Sequence, residues 1–492
     1  MKTRISNLIY VPALVAVLGL MLAGRVRAQT FAILHSFTEL SNSPPYGNND
    51  GCRPSGGLIL SGNTLYGTAD RGGSADDGTV FGVNTDGTGF TNLHSFTGTL
   101  GDAGYYGGTN SDGADPGGGL ILSGNTLYGM AGAGGSSAAG TVFSFNTNGS
   151  GFTNLHSFTN GTDGGYPGGG LIISGDTLYG TAADFGGSGS YGTVFSVETN
   201  GLGFRTVHSF TNVGEGGSPA GALVLSGNTL FGTTVNGGSG TVFAVNTNGT
   251  GFTNLHSFTG TLGDGGIVGA GTNIDGSDPA IGLIVSGNTL YGTAQYGGSS
   301  GNGTVFAVNT NGTGFTNLHS FTGTLGDAGY YGYGTNSDGA LPSAGLILSG
   351  NMLYGTAQFG GRWGDGTVFA VNTNGTGFST LYSLTNGTDG VAPNAGLILS
   401  ANTFYGTTDI GGSSGSGTVF SLSLVQMTIS LCGSNVILTW PTNQIGLILQ
   451  SFTNLASPAV WSTVSPAPVV VNGQCRVTNA TSGTQKFYQL NQ

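Results

Sequence analysis

The chain has 492 residues, 99 of them Gly, with only 10 Lys+Arg and 22 Asp+Glu and a formal net charge of −12 at pH 7. Average chains hold about 7% Gly and about 25% charged residues, so a collagen-like chain is the first suspicion; with only 14 Pro and no three-residue glycine period it is excluded. Each interior Gly costs a helix about 1 kcal/mol against Ala, and 27 Phe with 18 Tyr supply a core that disordered chains lack, which leaves an all-β, turn-dense protein.

Residues 1–28 read as a secretory signal peptide. Lys2 and Arg4 form the positive start, residues 8–23 are apolar, and Val26-Arg27-Ala28 ends on a small residue suited to cleavage. The apolar run is short and contains Pro12, whereas a membrane span wants roughly 20 apolar residues, and no later segment could cross a bilayer. Removing the signal takes away four bases and no acid, leaving 6 basic and 22 acidic groups and a net charge of −16. Nucleic acid and anionic membrane surfaces become poor partners, because affinity for polyanions comes from Lys and Arg. Lys486 is the one remaining lysine, so a phosphate-cradling loop and a lysine Schiff base in the main domain are ruled out. The expectation is an exported monomer, secreted or at the cell surface.

From residue 29 to 424 one unit repeats. L-Y-G-T recurs with its aromatic at Tyr66, Tyr128, Tyr179, Phe231, Tyr291, Tyr354 and Tyr405. G-T-V-F ends at Phe81, Phe143, Phe195, Phe243, Phe306, Phe369 and Phe420, and L-H-S-F places His35, His94, His156, His208, His256 and His319, with Tyr382 in the seventh place. Each unit holds four short runs rich in Val, Phe, Tyr and Thr; in one unit these are 282–286, 289–294, 303–309 and 315–321. The links S-G-N-T and N-T-N-G-T-G are tight-turn chemistry, since Asn and Gly accept positive φ. Four strands in a unit of about 50 residues is the size of a propeller blade. The run 31–37 is of the fourth-strand type with no unit before it, and the last unit has no fourth strand of its own. Closing a ring lets 31–37 complete the last blade and removes two unpaired edges. The predicted fold is therefore a seven-bladed β-propeller with four strands per blade, the N-terminal strand closing the last one.

On D-G-x-x-P-x-x-G-L, L-Y-G-T, the double Gly, G-T-V-F and L-H-S-F, spread over residues 31–420, the chain resembles the GloVer tandem-repeat proteins of secreted bacterial chains. That resemblance implies a repeat family and an exported protein, without a ligand or a reaction. The four-strand grammar is also similar to quinoprotein-type and kelch-type blades, which implies fold alone.

Beyond the repeats, residues 425–492 change character. Acids disappear, and Trp440 and Trp461 join β-like runs around Pro, Asn and Gly turns, which predicts a small C-terminal β-sandwich. It is similar to the fibronectin-type or sorting-type modules that end secreted bacterial repeat proteins, as a cap or an attachment module. Cys432 and Cys475 are candidates for a disulfide, leaving Cys52 odd.

Candidate chemistry divides into three sets. The six histidines occupy one place in successive outer strands, too scattered to converge on an ion at about 2 Å, and read as structural. Every unit carries [DE]-G-x-x-P, at Asp50, Asp112, Asp163, Glu215, Asp275, Asp338 and Asp389. Turn chemistry explains a motif present in all units; the functional alternative is a ring of oxygens, with calcium a candidate at Asp112, Asp275 and Asp338. The third set breaks the symmetry. Long inserts at 97–119, 259–282 and 322–345 carry Asp112 and Asp115, Asp275 and Asp278, and Asp338, with Tyr105, Tyr106, Tyr330 and Tyr331 in two of them. Tyrosines beside carboxylates suit sugar recognition, the ring stacking on C–H faces and the acid accepting hydroxyl protons.

Catalysis lacks a motif in its structural context: G-x-S-x-G at 297–301 and 411–415 precedes no helix and is expected by chance at this Gly and Ser content. The sequence therefore points to a non-catalytic extracellular or cell-surface binding module without a required cofactor. Its expected partner is an extracellular glycan or a cell-envelope component. The alternatives are a divergent carbohydrate-active enzyme (glycosidase or lyase) on the loop face, and a structural envelope or adhesion protein.

Overall fold

The computed structural model describes residues 29–41, 47–101, 108–184, 191–211, 214–260, 271–279, 282–326, 334–385, 387–424, 428–432, 435–441, 448–452, 462–465, 467–471, 474–480 and 487–491. The signal expected at 1–28 lies outside them. All regular structure among the described residues is β. Two compact units result: Ala32–Ser400 with Phe404–Ser421, and Leu422–Gln492 with Ala401–Thr403 and the chain up to Phe31.

In the larger unit, antiparallel sheets follow one another along the chain, each with the strand order of a propeller blade. Sheet one is Ile59–Ser61, Thr64–Ala69, Thr79–Asn84 and Thr91–Ser95. Sheets two to six repeat that order, starting at Ile121–Ser123, Ile172–Ser174, Val224–Ser226, Ile284–Ser286 and Ile347–Ser349. Sheet three gains an extra strand, Gly165–Pro167, beside its long second strand Thr177–Asp184. In sheet seven, Ile398–Ser400, Thr403–Thr408 and Thr418–Leu424 are followed not by a strand of their own unit but by Gln29–Ser36. The Phe37 amide continues that pairing by donating to the Gly417 carbonyl at 3.1 Å.

The recurring motifs explain why these strands stack as they do. The Gly of L-Y-G-T lies opposite the Phe of G-T-V-F in the adjacent strand, as Gly292 does opposite Phe306. A Cβ on Gly292 would sit 2.7 Å from the Phe306 ring and 2.8 Å from Leu283. The phenyl group thus takes the volume the glycine leaves, and Phe81, Phe143, Phe195, Phe243, Phe306, Phe369 and Phe420 are all fully buried. Neighbouring sheets then share their apolar faces. Leu58, Leu65 and Phe81 of sheet one pack with Tyr405 and Val419 of sheet seven and with Phe37, and Tyr66, Val80 and Phe96 pack with Leu127 and Phe143 of sheet two.

The smaller unit contains a four-stranded sheet, Thr428–Cys432, Asn435–Pro441, Gln474–Ala480 and Val469–Val471, and a three-stranded sheet, Ser462–Thr463, Ile448–Phe452 and Phe487–Asn491. Leu438, Trp440 and Val477 meet Leu449 and Val464 in a common core. One expectation is corrected here. Cys432 and Cys475 are free thiols. Cys432 pairs with Asn435 and Cys475 with Trp440, at opposite ends of the same strand. Five residues of strand separate them by roughly 17 Å, far beyond the Cα spacing of about 4.4–6.8 Å that a disulfide spans.

Candidate functional site

Two sets of side chains recur around the larger unit, one at the outer strands and one at the turns that lead into the inner strands.

The outer set joins two sequence motifs that were read as separate. His94 Nε2 donates to Asp112 Oδ2 at 3.1 Å, and the same oxygen accepts the Thr97 amide at 3.1 Å. The other carboxylate oxygen accepts the Thr97 hydroxyl. The pattern recurs as His35–Asp50, His156–Asp163, His256–Asp275 and His319–Asp338, at 3.0 to 3.2 Å. Where Glu replaces Asp, His208 and Glu215 stand 3.8 Å apart. Where Tyr replaces His, the Tyr382 hydroxyl donates to Asp389 at 2.7 Å. Each imidazole also lies flat on a phenylalanine of the following sheet, His94 on Phe152 at 4.0 Å and His319 on Phe378 at 3.7 Å.

The carboxylate reaches both ways. The Asp112 side chain holds the outer strand of sheet one, while its main-chain carbonyl accepts Thr141 of sheet two at 2.9 Å. Burial raises the Asp112 carboxyl, but the hydrogen bonds from His94 and Thr97 outweigh it and hold it below the ordinary carboxylate value. Asp50, Asp275 and Asp338 are lowered by the same balance. Burial pulls the His156 and His208 imidazoles down, toward the neutral form. These groups form a seam between sheets. A cation at Asp112, Asp275 or Asp338 would have to displace a histidine and a threonine from each carboxylate.

The inner set is built on the residue before each motif proline. Arg53, Asp115, Tyr166, Ser218, Asp278, Leu341 and Ala392 all have φ between +50° and +58°, a region L-residues rarely adopt. Hydrogen bonds on both sides over-determine that strained backbone. The Asp278 amide donates to Ser239 at 2.9 Å, and its carbonyl accepts the Gln295 amide at 3.1 Å; Leu341 does the same with Asn302 and Gln358. The second partner in each case is the residue just past L-Y-G-T-[AT], so the two series share one rim. That second series reads Asp70, Gly132, Ala183, Val235, Gln295, Gln358 and Asp409. While the strands around them barely vary, these rim positions carry acids, amides, one guanidinium and small apolar groups.

The second series is lopsided. In it, sheets two, three and four contribute Gly132, Ala183 and Val235, while sheets five, six, seven and one contribute Gln295, Gln358, Asp409 and Asp70; in the strained series, Arg53, Asp115, Tyr166, Ser218 and Asp278 fall on sheets one to five and the apolar Leu341 and Ala392 on sheets six and seven. Arg53 donates from Nε and Nη2 to both oxygens of Asp409, each at 3.3 Å. A cavity of about 260 Å³ opens there, lined by Arg53, Gln295, Tyr296, Leu341, Gln358, Phe359 and Asp409. Two residues beyond the strained position the split recurs in part. Sheets one, six and seven have Ser55, Ser343 and Asn394 where sheets two, three, four and five have Gly117, Gly168, Ala220 and Ala280 in sequence. Ser55 Oγ, Ser343 Oγ and Asn394 Oδ1 are buried without a hydrogen-bond partner among the described residues, as is Asp70 Oδ1.

Burial and the nearby Asp409 charge push the Asp70 carboxyl up to about 7, against the attraction of Arg53. Burial likewise raises Asp115, to about 6, with Arg71 opposing it, and raises Asp278. Asp115 and Asp278, sugar-binding candidates from the sequence, therefore sit on the inner rim, whereas Asp112, Asp275 and Asp338 belong to the seam. Tyr105, Tyr106, Tyr330 and Tyr331 lie outside the described residues. The rim itself was missed in the sequence, although a column-by-column reading of the seven units would have exposed its variability.

A profile of the Gloeobacter/Verrucomicrobia repeat family matches residues 103–273 and 330–435. No curated protein matches the chain. Among solved structures it is similar to an oligogalacturonate lyase from Vibrio parahaemolyticus, at 10% identity over 81% of this chain and 98% of that one, with a TM-score of 0.43. It is also similar to a putative 6-phosphogluconolactonase from Bacteroides uniformis, at 15% identity, 86% and 98% coverage and a TM-score of 0.43. A gluconolactonase from Xanthomonas campestris aligns at 13% identity, 82% and 92% coverage and a TM-score of 0.38.

Proposed function

The chain belongs to the Gloeobacter/Verrucomicrobia repeat family, and from that premise we propose that it is an exported, closed seven-bladed β-propeller serving as an extracellular or cell-surface binding module for carbohydrate. Three features support the ring: Gln29–Ser36 beside the last unit's strands, the cluster shared by sheets one and seven, and the Arg53–Asp409 ion pair. One observation carries the binding role. In a chain of near-identical units, the residue just past L-Y-G-T-[AT] is polar on sheets five, six, seven and one and apolar on sheets two, three and four, and three of the four polar ones, Gln295, Gln358 and Asp409, line one cavity; function on a symmetric scaffold resides where the symmetry breaks. The smaller unit serves as a cap or an attachment module. A glycan array with the purified mature chain tests the binding role. Saturable binding is the expected result; an array with no saturable ligand removes it and leaves the structural envelope or adhesion role.

A second reading draws on Asp70 and Asp409. Asp70 is held close to neutrality while Asp409 is ion-paired to Arg53, the kind of unequal pair that divides acid and base roles in glycosidases and lyases. Turnover of a bound glycan, abolished in Asp70→Asn, would favour that enzyme over the binding module.

A further inference from the structure

We propose that the inner rim takes a single neutral sugar unit, the end of a chain or a free monosaccharide, on the arc formed by sheets five, six, seven and one, and rejects acidic sugars. This rests on the binding-module reading and deepens it by naming the ligand class and how the ligand enters.

The size of the cavity sets the first limit. Its volume of about 260 Å³ lies below the roughly 300–1,000 Å³ of pockets that enclose drug-sized ligands. A single ring with its hydroxyls is on that scale, and further rings of a chain would lie outside the lining residues.

The chemistry of the lining sets the class. The Gln295 and Gln358 side-chain amides each offer donors and an acceptor, and the Arg53–Asp409 pair adds donors on one side and an acceptor on the other. Leu341, Tyr296 and Phe359 complete the wall with apolar surface. Alternating hydroxyls and C–H faces match such a lining, because every polar group on either side finds a partner. Just beyond the rim, Ser55, Ser343 and Asn394 hold buried oxygens without protein partners. Such buried oxygens are normally satisfied by ordered water, and the three residues stand behind the cavity lining rather than in it. All three lie on sheets that also line the cavity or flank it, and their counterparts on sheets two, three and four have no polar side chain at all.

Charge sets the selectivity. Arg53 is already neutralised by Asp409, and no other lining residue is charged. A uronic acid or other anionic sugar would meet the Asp409 carboxylate with no unpaired cation among the lining residues to compensate it, which is costly in a partly desolvated site.

The test is calorimetric titration of the mature chain with neutral monosaccharides, with the corresponding uronic acids, and with linear oligomers, of one to six units, of whichever neutral sugar binds. The expected result is binding of at least one neutral monosaccharide, no binding of its uronic acid, and an affinity per chain that stays flat with length. Gln295→Ala with Gln358→Ala should weaken it about tenfold or more, while Val235→Ala on the opposite arc leaves it unchanged. Thermal melts of all variants confirm that each is folded. Affinity that climbs with chain length, equal binding of the uronic acid, or full affinity in the folded double variant would overturn this inference while leaving the binding module intact. Absence of binding to any sugar, long or short, neutral or acidic, overturns both.

Discussion

The seam and the rim are built from the same repeats and solve opposite problems. At the seam, His94, Asp112 and Thr97 satisfy one another within the protein and a phenyl ring covers the imidazole. At the rim, Arg53, Gln295, Gln358 and Asp409 turn polar groups to a cavity; buried atoms without a partner among the described residues occur in both regions, at Asp70, Ser55, Ser343 and Asn394 and at Asn92, Asn154, Asn254 and Asn317 of the outer strands. The seam is the same in almost every unit; the rim differs in each. Groups that finish their hydrogen bonding inside the chain hold sheets together, and polar groups that line a cavity on a rigid frame are available to a ligand. Histidine beside aspartate thus marks the seam in this protein, and a glutamine where other units have glycine, alanine or valine is a better sign of a site.

The largest expected effect lies beneath both regions. Phe306→Ala removes a fully buried ring that Gly292 and Leu283 enclose, and should cost about 3–5 kcal/mol of stability in denaturant unfolding. A loss under about 1 kcal/mol would mean that the sheets do not depend on the phenylalanine–glycine stack.

Next comes the seam. His94→Ala leaves the Asp112 carboxylate buried with one donor fewer, which should cost about 1–3 kcal/mol, and Asp112→Ala should cost a similar amount. A double-mutant cycle should show coupling between the two. Additive losses would break the claim that they act as one lock.

Acid and base should separate the two regions with opposite signs. Asp50, Asp112, Asp275 and Asp338 titrate below their unfolded value, so their contribution is present above about pH 4 and is lost as the pH falls through the folded values. Asp70 and Asp115 titrate above it, at about 7 and about 6. Their contribution is present below about pH 4 and is lost as the pH rises toward 7. In melts across pH 3 to 8, Asp112→Asn should flatten the acid side of the profile and Asp70→Asn the neutral side. The same change on both sides in either variant would merge the two regions.

The smallest effect on stability belongs to the rim. Gln358→Ala should fall within about 0.5 kcal/mol of the parent, because its side chain closes no lock. A large loss would move the rim into the scaffold.

Much of the frame was legible because its signals are local. The expected run 289–294 is the observed strand Thr289–Ala294, and 303–309 differs by one residue from Thr304–Asn309. The inner strand is shorter than expected, Ile284–Ser286 against 282–286; Gly282 instead lies close to Ala222 of the preceding sheet, where a Cβ would come within 3.2 Å. The His–carboxylate partnership was hidden because its sequence separation swings between 7 and 19 residues with the insert that intervenes, while the contact stays near 3 Å. The rim was hidden for a different reason. Arg53, Asp409, Gln295 and Gln358 belong to four units, and the cavity they share cannot be read from any one of them.

The central claim is that the constant seam holds the structure and the variable rim recognises the ligand. It is tested most directly by titrating the tightest-binding neutral monosaccharide into the parent chain, Gln295→Ala/Gln358→Ala and His94→Ala at a temperature where all three are folded. The account predicts that the rim variant loses about tenfold or more in affinity and that the seam variant, though less stable, keeps the parent's. Undiminished binding in the rim variant, or its selective loss in the seam variant, would contradict it.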